Sequence, residues 1–204
     1  MRYANYSYHG KNINNLGDQI QILTIDYIYK KMGIDKSDVI YIDKDALGSY
    51  DGEQVILPVS MPLIDYKEHG FAEMFSPKIC PVFLGLTMAK DTLLQEEVSY
   101  LKRFEPIGCR DERTLDTMRR YDIEAYLGGC CTVTLPTRKP SLRQKRVFMI
   151  DAPEGIEQYL PEKLRVDLVR DTHLFYGPMQ NPKQCAAERY AQYQNEAALV
   201  ITSL

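Results

Sequence analysis

Arg110, Asp111 and Arg113 follow directly on the apolar run Pro106-Ile107-Gly108-Cys109. A guanidinium grips a carboxylate or phosphate through two parallel hydrogen bonds, so an arginine at a strand end is suited to holding an anion. The same residues also fit a surface ion pair worth about 0–1 kcal/mol, and the two readings stand level. A second constellation is Asn15-Leu16-Gly17-Asp18-Gln19. Gly17 lets backbone and ligand approach closely, and Asp18 can act as a base toward a hydroxyl. An aspartate ahead of an apolar-periodic helix is also an ordinary N-cap, which is the commoner role. The loop is neither a Gly-x-Gly-x-x-Gly fingerprint nor a phosphate-binding P-loop. His9 lies just before this loop and can line the same cleft, whereas His69 and His173 read as turn residues. No metal-ligand spacing joins the three histidines, and no Ser-His-Asp arrangement is legible.

These groups need elements to position them. Residues 3–8 alternate and are β-prone, residues 10–17 are polar and Gly/Asn-rich, and from Asp18 a helical period runs to a stop at Gly33. Residues 39–42 then read as a second strand, giving the strand–loop–helix–strand opening of an α/β sheet. Ligands of such sheets bind at the carboxyl ends of strands, which is where Asn15–Gln19 and Arg110 fall. Residues 55–59 and 81–86 are further strands, and 61–78 reads as a loop or short helical pieces. A helix is expected over 92–104, a strand over 107–109, and a helix over 112–121 capped by Asp111. Residues 123–127, a Gly128-Gly129 turn and a strand over 131–135 close the series. After the polar, basic stretch 137–145 a new α/β rhythm begins: strand 146–151, short helix 155–160, strand 164–170, helix 182–196 and strand 197–202. The expected organisation is an N-terminal α/β domain over 1–136, a linker over 137–145 and the beginning of a second Rossmann-like domain over 146–204.

Composition narrows the field. The chain has 204 residues, 45% hydrophobic and 26% charged, with a net charge of −3, so no nucleic-acid partner is indicated. No apolar stretch is long enough for a membrane span, and no basic n-region with an apolar h-region follows Met1. Five cysteines with no Cys-x-x-Cys spacing argue against a zinc site or disulfide framework and for reduced thiols in a cytoplasmic protein. The vicinal pair Cys130-Cys131 fits a redox device or, more commonly, small packing residues beside a turn. No metal or cofactor is expected. Tyrosine is abundant, 15 residues, too common here to argue for a sugar platform.

Three segments together resemble the polysaccharide pyruvyl transferase family: Asn15-Leu16-Gly17-Asp18-Gln19, Pro106-Ile107-Gly108-Cys109-Arg110-Asp111, and Gly129-Cys130-Cys131-Thr132-Val133-Thr134-Leu135. Ser76-Pro77-Lys78-Ile79 and the terminal Val200-Ile201-Thr202-Ser203 extend the resemblance over nearly the whole chain. It implies a two-domain, glycosyltransferase-B-like architecture of Rossmann-like halves. It also implies transfer of a pyruvyl group from phosphoenolpyruvate to a sugar hydroxyl pair, as a ketal, in cell-surface glycan biosynthesis. Asp18 would be the catalytic residue on the acceptor side, with Asn15, Gly17, Gln19 and His9 binding substrate, and Arg110 with Asp111 near the anionic donor. The implied partners are phosphoenolpyruvate and a sugar or lipid-linked oligosaccharide acceptor, and a homo-oligomer is compatible with them. The family pattern continues after Thr202-Ser203 with an arginine and a histidine. Here Leu204 stands at the arginine position, which weakens the case for phosphoenolpyruvate as donor. The 204 residues end before the histidine, so the expectation is a second domain incomplete in this chain and no activity from it alone. The rival readings are a glycosyltransferase-like enzyme using a nucleotide sugar and a non-catalytic glycan-binding module.

Overall fold

The computed structural model describes residues 2–8, 13–60, 62–63, 73–137, 146–176 and 181–202. In chain order the elements are β1 (Arg2–Ser7), β2 (Ile13–Asn15), α1 (Leu16–Lys31), β3 (Val39–Asp43), β4 (Val55–Val59), β5 (Pro62–Leu63), β6 (Ile79–Phe83) and β7 (Thr87–Met88). Next come α2 (Gln95–Lys102), β8 (Ile107–Cys109), α3 (Glu112–Arg120), β9 (Ala125–Leu127), β10 (Arg146–Ile150), β11 (Leu168–Asp171), β12 (Leu174–Tyr176), α4 (Pro182–Glu196) and β13 (Ala197–Thr202). The fold is mixed α/β with parallel sheets, consistent with the Rossmann-like class. Two units are distinguished: Met1–His9 with Gln21–Leu135, and Gly10–Ile20 with Pro136–Leu204. The division falls inside α1, whose opening turn belongs to the second unit.

The first unit is built on a parallel sheet in the order β3-β1-β4-β6. Past β6 the chain continues beside β8: Leu86 N–H donates to the Gly108 carbonyl at 2.7 Å, and Arg110 N–H to the Leu86 carbonyl at 2.8 Å. β8 in turn pairs in parallel with β9, so the pairing runs on across the unit. The central strand β4 is Val-Ile-Leu-Pro-Val: Val55, Leu57 and Val59 on one face are fully buried, and on the other Pro58 is buried and Ile56 partly so. The core adds Ile22, Ile25, Phe83, Leu101, Ile107 and Met118 from the flanking helices and strands. Asn5 of β1 is a buried polar tie: its Nδ2 donates to the Ile22 carbonyl at 2.9 Å and to Asp26 Oδ1 at 2.7 Å, fixing strand to helix.

The second unit contains the parallel sheet β11-β10-β13, with β10 central and Val147, Phe148 and Met149 buried. Pro182 starts α4, where its missing N–H costs nothing. The helix packs through Ala186 and through Tyr193, whose ring meets Phe148 edge-on at 5.0 Å. A short antiparallel pair, β2 with β12, also belongs to this unit.

Several sequence expectations shift. Residues 131–135 form a 3₁₀ turn over Cys131–Thr134, not a strand. Gly129 at φ 70° redirects the chain, and the Thr134 hydroxyl bonds the Cys131 carbonyl at 2.8 Å, so local hydroxyl bonding overrides β-branched propensity. The polar stretch at 10–17 supplies a strand, β2, and α1 starts at Leu16 ahead of Asp18. α2 opens at Gln95, because buried Glu97 reaches back to the Leu94 N–H at 2.8 Å while Lys90 neutralises it. Residues 164–170 divide into a 3₁₀ turn, Glu162–Leu164, and β11; Arg165 holds the bend by donating to the Leu160 and Gln158 carbonyls. β6 begins two residues before the expected strand, at Ile79–Phe83, and Pro62–Leu63 forms β5 within the expected loop. His9, His69, Leu204 and most of the 137–145 segment lie outside the described residues.

Candidate functional site

In the first unit the chain goes from β1 to β3 on one side and then to β4 on the other, so the strand order reverses at β1 and β4. The carboxyl ends of such strands are the expected ligand address of an open parallel sheet. That edge carries Ser7 at the end of β1 and Tyr8 past it, Ser60 past β4, Leu84–Leu86 past β6, Arg110 and Asp111 past β8, and Gly128–Cys131 past β9. The packing is tight. A Cβ on Gly85 would come within 2.8 Å of the Gly129 carbonyl and 2.9 Å of Ser60 Oγ.

Arg110 is exposed, and its guanidinium makes no hydrogen bond or ion pair among the described residues. Asp111 is committed to structure: it is the N-cap of α3, accepting from Thr114 N–H at 2.8 Å and from the Thr87 hydroxyl at 2.5 Å. Partial burial pushes its carboxyl up, but the bonds from Thr87 and Thr114, with Arg110 beside it, outweigh this and hold it low. Arg113 is turned to the Ala89 carbonyl at 2.9 Å, so the Arg110–Arg113 fork is not assembled.

Cys130 and Cys131 share this edge and are polarised in opposite directions. The Cys131 thiol donates to Cys130, the Thr132 hydroxyl bonds Cys130 Sγ at 3.2 Å, and Arg110 adds positive charge, so Cys130 favours the thiolate. Cys131 is pushed up by that same bond and by burial. Next to Cys131, the Tyr6 hydroxyl is buried and without a partner among the described residues, and burial drives its phenol up. All five cysteines are free thiols.

In the second unit Asn15 caps α1: its Oδ1 accepts from Gly17 N–H at 2.7 Å. Asp18 thus lies in the first helical turn, where the helix dipole favours negative charge, and the capping role passes to Asn15. Gly17 is exposed, and a Cβ there would sit 3.0 Å from Asn15 Oδ1, so glycine suits the close turn. Gln19 is 2% exposed and belongs to the packing. The turn is held from the other side by His173, whose carbonyl accepts from Leu16 N–H at 2.7 Å. β2 and β12 pair immediately beyond this bond, with Asn15 opposite Leu174.

This contact brings in a residue that the sequence presents only as a turn histidine. His173 Nδ1 hydrogen-bonds Asp151 Oδ2, and His173 N–H donates to the same oxygen at 2.9 Å. Asp151 comes directly after β10 and has φ 51°, a conformation uncommon for a residue with a side chain. Desolvation raises its carboxyl, but bonds from Thr172 and from the His173 backbone and ring lower it further, to about 2. No motif spacing flags this pair, since the two residues are 22 positions apart in sequence. The usable signal is a histidine just past the acidic end of one strand and an aspartate just past the neighbouring one. Asn15, Gly17 and Asp18 are therefore gathered with His173 and Asp151 in the second unit, while Arg110 and Asp111 belong to the first.

The parallel sheets, with polar side chains at their carboxyl ends, define an α/β protein of Rossmann-like class, a scaffold that does not by itself fix the chemistry. The sequence profile of the polysaccharide pyruvyl transferase family matches residues 15–202, and the chain belongs to that family. No curated protein and no solved structure matches it. Among the described residues no helix is long and apolar enough to cross a membrane.

Proposed function

We propose that the protein transfers a pyruvyl group from phosphoenolpyruvate to two hydroxyls of a sugar, closing a cyclic ketal during assembly of a cell-surface glycan. The observation that carries this reading is the family match, which spans residues of both units. Two Rossmann-like halves of the glycosyltransferase-B kind are part of the reading. Arg110 is assigned to the anionic donor, because its guanidinium is exposed at the carboxyl edge of the first sheet. Asn15, Gly17 and Asp18 are assigned to the acceptor sugar, free or lipid-linked. In the reaction a general acid protonates the enol carbon C3, and sugar hydroxyls attack the cationic C2 that results. Arg110 offsets the charge of the donor's phosphate and carboxylate. The donor is a cytoplasmic metabolite, and the protein is assigned to that compartment.

The test is release of inorganic phosphate from phosphoenolpyruvate in the presence of methyl glycosides with free hydroxyl pairs. Arg110→Ala is expected to raise the apparent Kd for phosphoenolpyruvate at least about tenfold, the loss of one charge-assisted pair. Equal donor binding by the wild type and the variant removes Arg110 from the donor site. Thermal stabilisation by a nucleoside diphosphate, with none by phosphoenolpyruvate, replaces the donor with a nucleotide sugar.

A further inference from the structure

We propose that His173 is a general base that takes the proton from the acceptor hydroxyl, and that Asp151 positions its ring. The inference rests on the reading above for the nature of the acceptor.

The first support is where the pair lies. β10 is the central strand of its sheet, with β11 on one side and β13 on the other, so the strand order reverses at β10. Asp151 is the first residue past its carboxyl end, the expected ligand address of that sheet. The second is strain held in place. A non-glycine residue persists in the left-handed region only where its surroundings hold it there. Here Asp151 N–H donates to the Asp171 carbonyl at 3.0 Å, and its carboxylate takes both the His173 backbone and the His173 ring. The backbone bond alone would close the turn. The ring bond adds orientation: with Nδ1–H given to the carboxylate, the lone pair of the neutral imidazole is on Nε2.

The third support is what Nε2 can reach. The His173 side chain is 46% exposed, and Nε2 has no hydrogen-bond partner among the described residues. The histidine carbonyl is bonded to Leu16 N–H, so the ring is tied at one residue's remove to the Asn15–Gly17–Asp18 turn. The groups that bind a sugar and the group that deprotonates it are then fixed by one hydrogen bond and one strand pair, β2 with β12.

The step balances without an outside reagent. A lone pair of the hydroxyl oxygen forms the new O–C2 bond, the O–H bond breaks, and its proton passes to Nε2. The imidazolium so formed is offset by the Asp151 carboxylate. Phosphate leaves with the electron pair of the bond it breaks when the second hydroxyl closes the ketal. Over the whole reaction the two hydroxyl protons end on the methyl carbon and on the released phosphate.

The experiment pairs kinetics with ring-nitrogen NMR on the whole protein. With phosphoenolpyruvate and methyl glycosides, His173→Gln is expected to lower kcat about 100-fold or more, with the acceptor KM within about threefold. Asp151→Asn is expected to lower kcat and to shift the His173 ring from the Nδ1–H tautomer toward Nε2–H, a change that a merely structural histidine would not couple to rate. His173→Gln with wild-type kcat overturns the inference and leaves the pyruvyl transfer reading standing. Should the wild type release no phosphate with any glycoside, that reading fails, and the ring decides alone: Nδ1–H that depends on Asp151 supports the oriented base, and a tautomer indifferent to Asp151→Asn overturns it.

Discussion

Cys130 shows how neighbours rather than burial decide the chemistry of a side chain. It and Cys80 are both half-buried free thiols, yet only Cys130 receives a thiol, a hydroxyl and a guanidinium's charge. An ordinary thiol titrates near about 8.5 and is mostly protonated at pH 6.5. Because the Cys130 thiolate is favoured, its reaction with iodoacetamide at pH 6.5 is expected to run at least about tenfold faster than that of Cys80. Peptide mass spectrometry after a timed quench measures both rates; equal rates would mean the three donors do not hold the thiolate. From sequence, a vicinal cysteine pair reads as packing, and for buried Cys131 that description fits. Its partner differs because the 3₁₀ turn after Gly129 folds Thr132 back onto the sulfur, a bend invisible in residue types.

At the level of elements, the tightest requirement is the seam between β6 and β8. A Cβ on Gly108 would lie 2.7 Å from the carbonyl oxygens of both Phe83 and Leu84, and backbone atoms in a sheet have little room to yield. Gly108→Ala is expected to cost about 1–3 kcal/mol or more by overpacking, read as a lower urea midpoint at unchanged m-value. A midpoint equal to wild type would mean that β8 can slide away from β6. Much of this architecture was legible in the chain. Val55–Val59 and Ile107–Cys109 are apolar runs bounded by turn residues, α4 begins at a proline, and Asp111 caps α3. β2 was not legible, because three residues of Ile-Asn-Asn carry no strand period and owe their conformation to a partner far along the chain. The Asn15–Asp18 turn stands out by its glycine and its carboxylate, and Arg110 by its place after a strand. The His173–Asp151 pair escapes for the same reason as β2, since its two halves meet only once β10 and β11 lie side by side.

For the molecule as a whole, the second unit is expected to lose stability to acid in a defined window. The Asp151 carboxyl titrates at about 2 when folded, against 3.8 for an unperturbed aspartate. A depressed carboxylate contributes stability that is full above the unfolded value and is lost as pH falls through the folded one. Stabilisation from this group is therefore complete above about pH 4 and gone by about pH 2. Hydrogen exchange between those values should show amides of β10 and β12 losing protection, and Asp151→Asn should flatten that dependence. An identical pH profile in the variant would assign the acid transition to other carboxylates. The pairing of β2 with β12 also bears on how the protein is made. At a synthesis rate of about 5–20 residues per second, β2 leaves the ribosome on the order of 10–30 s before its partner strand exists. During that interval the first unit has most of its sheet available to fold, while Ile13–Asn15 must wait as an unpaired edge.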